Sequence, residues 1–165
     1  MHSASFSGYP WSVPFIENAV WAAVYLLGSA IFWRVHPLAA GAYLLYSVSC
    51  MYLLVPRLVC TSCAYFGRTC HSAQGRIAAL LFSPRDQREF PARFRYMRLA
   101  APVFLFPVLA GAVLSVIRLS GTLAFSTLLF GVIALGFTRL VTTRLGCTCC
   151  EQRSVCPACH RTAPA

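Results

Sequence analysis

Eight of the nine cysteines in this 165-residue chain fall into two tight groups, and they are the side chains best able to do chemistry. The first group is Cys60-Thr-Ser-Cys63 followed by Cys70 and His71; the second is Cys147-Thr-Cys149-Cys150 followed by Cys156-Pro-Ala-Cys159 and His160. A Cys-x-x-Cys turn lets two thiolates hold one metal ion while amides of the turn hydrogen-bond to the sulfurs, and two such turns complete a tetrahedral site. Cys60 and Cys63 with Cys156 and Cys159 fit that description. Cys70, Cys147, Cys149 and Cys150 remain for a second site, and His71 or His160 can replace a ligand. Eight thiols and two imidazoles suffice for two four-coordinate centres, or for one centre with spare thiols.

Zinc and an iron–sulfur cluster both suit such a donor set. The Cys-x-x-Cys-x-x-Cys run of ferredoxins is absent, which favours zinc. The same pairs could instead cycle between dithiol and disulfide, or take a soft ion such as copper or mercury. The ninth cysteine, Cys50, sits inside an apolar run and reads as a small packing residue. No hydrolase, kinase or nucleotide-binding motif is present, and the four acidic residues are too dispersed for a carboxylate pair. No catalytic residue is therefore assigned.

The elements that must position these thiols are legible from hydropathy. Hydrophobic residues make up 58% of the chain and charged residues 11%, against about 25% charged in an ordinary soluble protein. A bilayer core of ~30 Å needs about 20 largely apolar residues in a helix, and four windows meet or approach that length: 13–33, 38–55, 99–117 and 123–141. Their connections are short at 34–37 and 118–122 and long at 57–98. The expected fold is therefore an all-α membrane protein, one integral domain over 1–165. Its four transmembrane helices form two antiparallel hairpins, with a loop of interfacial helices and a Cys-rich tail at 142–165. Glu17 and Asn18 fall in the opening turns of the first span, where headgroups or water would solvate them. Within the loop, 75–82 reads as a short interfacial helix. Ser83-Pro84-Arg85-Asp86 then resembles a helix cap, and 88–98 interleaves arginine with aromatic residues in a pattern suited to the headgroup layer.

Arginine placement sets the expected orientation, because cytoplasmic loops carry the positive excess. Eight arginines lie in the long loop (Arg57, Arg68, Arg76, Arg85, Arg88, Arg93, Arg95 and Arg98), and Arg139, Arg144, Arg153 and Arg161 lie at or beyond the end of the fourth span. Only Arg34 and Arg118 fall on the other side. Both termini and both cysteine groups are thus expected in the cytoplasm, on a multi-pass protein of a bacterial plasma membrane, where thiols stay reduced and disulfides are disfavoured. The formal charge of +10 then speaks for anionic lipid headgroups rather than nucleic acid, since the arginines crowd the ends of apolar segments. The first 14 residues lack the basic start and small-residue cleavage site of a signal peptide, so the first helix is expected to stay. No histidine falls within a span, which removes a membrane-embedded haem held by an axial pair.

Four helices with Cys-x-x-Cys pairs resemble the disulfide-generating quinone reductases, the disulfide-bond protein B and vitamin K epoxide reductase families. Their reactive pairs serve the oxidising side, however, whereas Cys60/Cys63 and Cys156/Cys159 fall on the arginine-rich side, so no residue roles carry over. The reading that follows is a membrane scaffold or accessory subunit of a membrane complex, its cytoplasmic metal site joining the ends of spans two and four. Iron–sulfur electron transfer with a quinone or partner is the first alternative, and thiol–disulfide exchange or soft-metal handling the next.

Overall fold

The computed structural model describes residues 8–141, 144, 146, 147 and 150–160, and all regular structure among them is helical. The first element, α1 (Ser12–Trp33), is followed by a short turn and α2 (Pro37–Ser49). Pro37 opens α2 at a position that needs no N–H, and His36 Nδ1 accepts from the Leu38 N–H at 3.2 Å.

The helix does not stop at residue 55, the expected end of the second span, although Pro56 follows it. A widened π turn, Cys50–Leu54, leads into α3 (Val55–Leu58) and a 3-10 turn, Cys60–Ser62, so the apolar run covers Pro37–Ser62. A proline ring inside an α-helix strikes the carbonyl one turn back. The π turn opens that space, and the Val55 N–H reaches back five residues to Cys50 O.

Next comes α4 (Gln74–Leu81), the short helix expected in the loop, with Leu80 and Leu81 exposed. The next helix is capped by Asp86, not Ser83: its carboxylate accepts from the Arg88 N–H at 2.9 Å. From there a 3-10 turn, α5 (Phe90–Arg93), a 3-10 segment (Phe94–Ala100) and α6 (Ala101–Ile117) run on without a break. The arginine-rich stretch expected as a separate helix is thus continuous with the third apolar run, Gln87–Ile117. The chain then forms α7 (Gly121–Gly131), a π turn (Val132–Phe137), α8 (Thr138–Val141) and, in the tail, α9 (Pro157–His160).

Three helical runs are long and apolar enough to cross a membrane: Ser12–Trp33, Pro37–Ser62 and Gln87–Ile117. The stretch expected as a fourth span contains a shorter apolar helix, Gly121–Gly136. The helix α1 touches α2, α6, α7 and α8, and α6 packs along α7. Gly28 lets α1 approach α2, since a Cβ there would overlap the Tyr43 ring. Val24, Ile31, Val103 and Phe130 are fully enclosed between helices, whereas Leu38, Leu45, Val116 and Phe125 point outward. Apolar burial drives no helix association in lipid, so close packing and hydrogen bonds must hold such a bundle.

Several of those bonds repair what proline removes. Pro107 cannot donate to Val103 O, and the Tyr43 hydroxyl of α2 donates there instead at 2.9 Å. Pro56 leaves Met51 O without its π-register donor, and the buried Gln74 Nε2 donates to it at 2.9 Å. Pro102 leaves Leu99 O without its 3-10 donor, and both the Tyr46 hydroxyl (2.6 Å) and the Cys50 thiol (3.3 Å) donate to it. Membrane helices tolerate proline where neighbours re-satisfy the freed carbonyls in this way. Cys50 therefore both packs and donates.

Candidate thiol site

The two cysteine groups leave the ends of different helical runs and meet at one end of the bundle, beside the start of α1. Tyr9 is the buried pillar between them: its N–H donates to Thr69 O at 2.9 Å, and its hydroxyl donates to Gly146 O. Its ring lies 5.8 Å from that of Tyr65 and 6.3 Å from that of His71. Gly146 must lack a side chain, because a Cβ there would overlap the His71 ring. The Tyr65 hydroxyl accepts from the Glu151 N–H at 3.0 Å, and the Cys63 thiol donates to Oε1 of the buried Gln152 at 3.1 Å. The Arg68–Glu151 ion pair at 3.9 Å is exposed and adds little.

Of the expected ligands, Cys147 and Cys159 are joined as a disulfide with their Cα atoms 5.3 Å apart. Cys60, Cys63, Cys70, Cys150 and Cys156 are free thiols, and Cys70 and Cys156 are buried. Cys149 lies outside the described residues, as does the His160 side chain. Cys159, expected beside Cys156 in a shared site with Cys60 and Cys63, is instead bonded to Cys147. Among the described residues no three His, Cys, Asp or Glu side chains stand in the arrangement of a metal site.

The free thiols nonetheless feel one another. Burial pushes the Cys63 thiol up to about 12, and the neighbouring Cys70, Cys150 and Cys156 add to the rise through charge repulsion, while the Tyr65 N–H opposes it. Cys150 is raised by burial and then by Cys156 and Cys70, with the Gln152 N–H opposing. At Cys70 burial acts upward as the largest single influence. It is outweighed by the His71 hydrogen bond and charge, by the Gly75 N–H and by the Ser72 hydroxyl, which together bring the thiol down to about 7. The Gly75 N–H lies 3.3 Å and the Ser72 Oγ 3.6 Å from the sulfur.

The Cys70 sulfur accepts the Gly75 N–H, and the amides of Tyr65 and Gln152, two residues after Cys63 and Cys150, act on those thiols in the direction that favours the thiolate. Such amides stabilise a thiolate, and they supply the outer hydrogen bonds that ligating sulfurs receive in metal turns.

Glu17 corrects an expectation. It is only 3% exposed and not solvated, with Oε1 3.8 Å from His71 Nε2 and 3.5 Å from the Trp21 indole nitrogen. Its neighbour Asn18 donates to Pro14 O (2.7 Å) and Ser72 O (3.1 Å) and accepts from the Tyr52 hydroxyl at 2.5 Å. Both residues face the thiol loop, so the start of α1 is part of the site. Sequence reading missed Tyr9, Tyr65, Gln74 and Gln152 as supports. For Tyr65, Gln74 and Gln152 a position within a few residues of a cysteine was the available signal, whereas Tyr9 carried none; Gln74 also lies 3.8 Å from the Cys60 sulfur.

Fold and site together define a helical chain with three membrane-length apolar runs, closed at one end by a layer of thiols. Comparison with protein-family models, with curated proteins and with solved structures finds no match to it.

Proposed function

We propose that the chain is a multi-pass membrane protein whose thiol layer binds zinc or an iron–sulfur cluster on the cytoplasmic side, acting as a scaffold or accessory subunit of a membrane complex. In this reading it crosses the bilayer four times. The helical stretch from Gly121 to Val141 reaches about 30 Å at 1.5 Å per residue, and the arginine asymmetry supports an orientation with both termini and the thiols inside.

The observation that carries the metal reading is the surroundings of Cys63. It feels Cys70 of its own segment and Cys150 and Cys156 of the tail, and its thiol donates to Gln152 Oε1 of the tail at 3.1 Å. Cys60, Cys63, Cys150 and Cys156 are the assigned first ligands, with Cys70 adjacent. Reduction of Cys147–Cys159 would release two more thiols. A cation would stabilise the Cys63 thiolate against the burial, and the lesser repulsion from its neighbours, that now favour the protonated thiol, drawing the sulfurs inward from their present positions. The ion would then join the loop after α3 to the tail after α8 and present a rigid basic surface to another subunit.

Anaerobic purification followed by elemental analysis and an absorption spectrum tests this reading. Stoichiometric zinc without colour, or iron with broad visible absorption that bleaches on reduction, is the expected result, and Cys63→Ser should abolish it. Protein containing neither metal overturns the reading.

A second reading, thiol–disulfide exchange, is favoured by the Cys147–Cys159 disulfide among free thiols and by a Cys70 thiol poised near neutral pH. Alkylation under native conditions separates the two, since metal-bound thiolates are protected and exchanging ones react quickly.

A further inference from the structure

At the end of the bundle opposite the thiols, a cavity of about 190 Å³ opens between the last turn of α1 and the first turns of α7. Its lining brings together Arg34, from the turn after α1, Arg118, from the turn after α6, and the hydroxyl residues Ser120, Thr122 and Ser126. These are the two arginines that the sequence places apart from the other twelve, and the fold gathers them at one hollow.

Arg34 and Arg118, both exposed, line the same hollow from separate turns, and two like charges on one hollow favour an anion between them. None of the acidic side chains, all of them among the described residues, faces the hollow. The four acidic residues are Glu17, Asp86, Glu89 and Glu151. Glu17 faces His71, Asp86 caps the helix before α5, Glu89 pairs with Arg93 and Glu151 with Arg68. All four belong to the thiol end. The cavity far exceeds the about 10–15 Å³ that a single water needs. Its hydroxyls already have local partners, Ser126 donating to Thr122 O at 2.9 Å and Ser120 lying 3.0 Å from the Thr122 hydroxyl. A polar rim is thus held in place around the charged groups.

We propose that this cavity binds a phosphate-type anion, clamped by Arg34 and Arg118 together. A guanidinium fork matches the oxygens of such an anion in bidentate fashion. The clamp joins the α1–α2 turn to the α6–α7 turn, so the anion ties the two hairpins at this end. The group could arrive as the phosphodiester of an anionic lipid or as free phosphate. The chemistry at the arginines is the same, and the site is independent of any metal at the other end.

The test uses the full-length protein in detergent and in lipid discs. Inorganic phosphate, titrated at constant ionic strength, should raise the melting temperature, with chloride as the reference. The variants Arg34→Gln and Arg118→Gln should each weaken that response about tenfold, as loss of one charge-assisted contact implies, while Arg57→Gln, at the thiol end, should leave it unchanged. Native mass spectrometry after reconstitution in phosphatidylcholine with or without phosphatidylglycerol identifies the source. A phosphatidylglycerol adduct retained by the wild type and lost in the Arg34→Gln/Arg118→Gln double variant supports a lipid headgroup. Phosphate stabilisation without that adduct supports the free ion. Equal phosphate response and equal lipid retention in wild type and double variant overturn the proposal, as does a wild type that responds to neither. Melting temperatures measured without phosphate show whether each variant is folded, and the two single variants keep the test open if the double one is not.

Discussion

The Tyr43 hydroxyl occupies the carbonyl of Val103 that Pro107 cannot serve. Removing it leaves a buried acceptor with no donor, which costs about 1–3 kcal/mol, so Tyr43→Phe should lower stability by that amount in a detergent melt. Pro107→Ala restores an N–H to the same carbonyl. The double variant Tyr43→Phe/Pro107→Ala should therefore lose less than the two single losses summed, a coupling that a double-mutant cycle measures directly. Gln74 offers a parallel case, since its amide serves Met51 O while its carbonyl faces the Cys60 thiol. Gln74→Ala should destabilise by a similar amount and also speed alkylation of Cys60.

The thiols themselves should titrate apart. In metal-free, reduced protein the Cys70 thiolate forms as pH rises through about 7 and the Cys63 thiolate only near 12, so peptide-mapped alkylation should rise at Cys70 first. Because the folded value for Cys70 lies below its ordinary one, its contribution to stability is complete above about pH 9. That contribution is lost as pH falls through about 7. The difference in unfolding free energy between wild type and Cys70→Ser should shrink over that window on acidification. A flat difference would remove the thiolate from the account.

At the scale of elements, the apolar runs were legible because length and hydropathy decide them, and α4 because it is apolar yet too short to span. Their ends were not. Pro56 and the change from apolar to arginine-rich sequence near residue 98 both read as boundaries, yet helix continues through each. The physical reason is tertiary: the π turn and the donors Gln74 and Tyr46 come from elsewhere in the chain and accept a break that an isolated helix would not. This makes Pro56 a positioning element. Pro56→Ala removes the steric need for the π turn, and closing it to α geometry takes one residue out of the turn, which rotates everything beyond by roughly 100°. Cys60 and Cys63 would then leave the layer they share with Cys150 and Cys156. Bifunctional maleimide cross-linking between Cys63 and Cys156 should fall sharply in Pro56→Ala while the melting transition persists. Undiminished cross-linking would mean that the π turn does not set the thiols' direction.

At the scale of the whole molecule, two kinds of pattern carried different amounts of information. The clustering of eight cysteines beyond the ends of two apolar runs was enough to anticipate that the two groups would meet, but not which thiols: Cys63 was expected beside Cys156 and Cys159, and it feels Cys150 as well. The partners that hold the loops were illegible, since Tyr9 against Gly146 and Cys63 against Gln152 span most of the chain and leave no local period. The Cys147–Cys159 disulfide was likewise unexpected, because the orientation inferred from arginine made reduced thiols the default. That inference has a direct consequence for the intact membrane. If the arginine-rich end faces the cytoplasm, a membrane-impermeant maleimide added to right-side-out vesicles should label neither cysteine group, and the same reagent on inverted vesicles should label both. Reduction should increase the second yield by opening Cys147–Cys159, and prior treatment with a zinc chelator should increase it further if thiolates hold an ion. Labelling of the two groups from opposite faces would contradict the meeting of Cys63 with Gln152, and labelling of both from outside would reverse the orientation while leaving the fold intact.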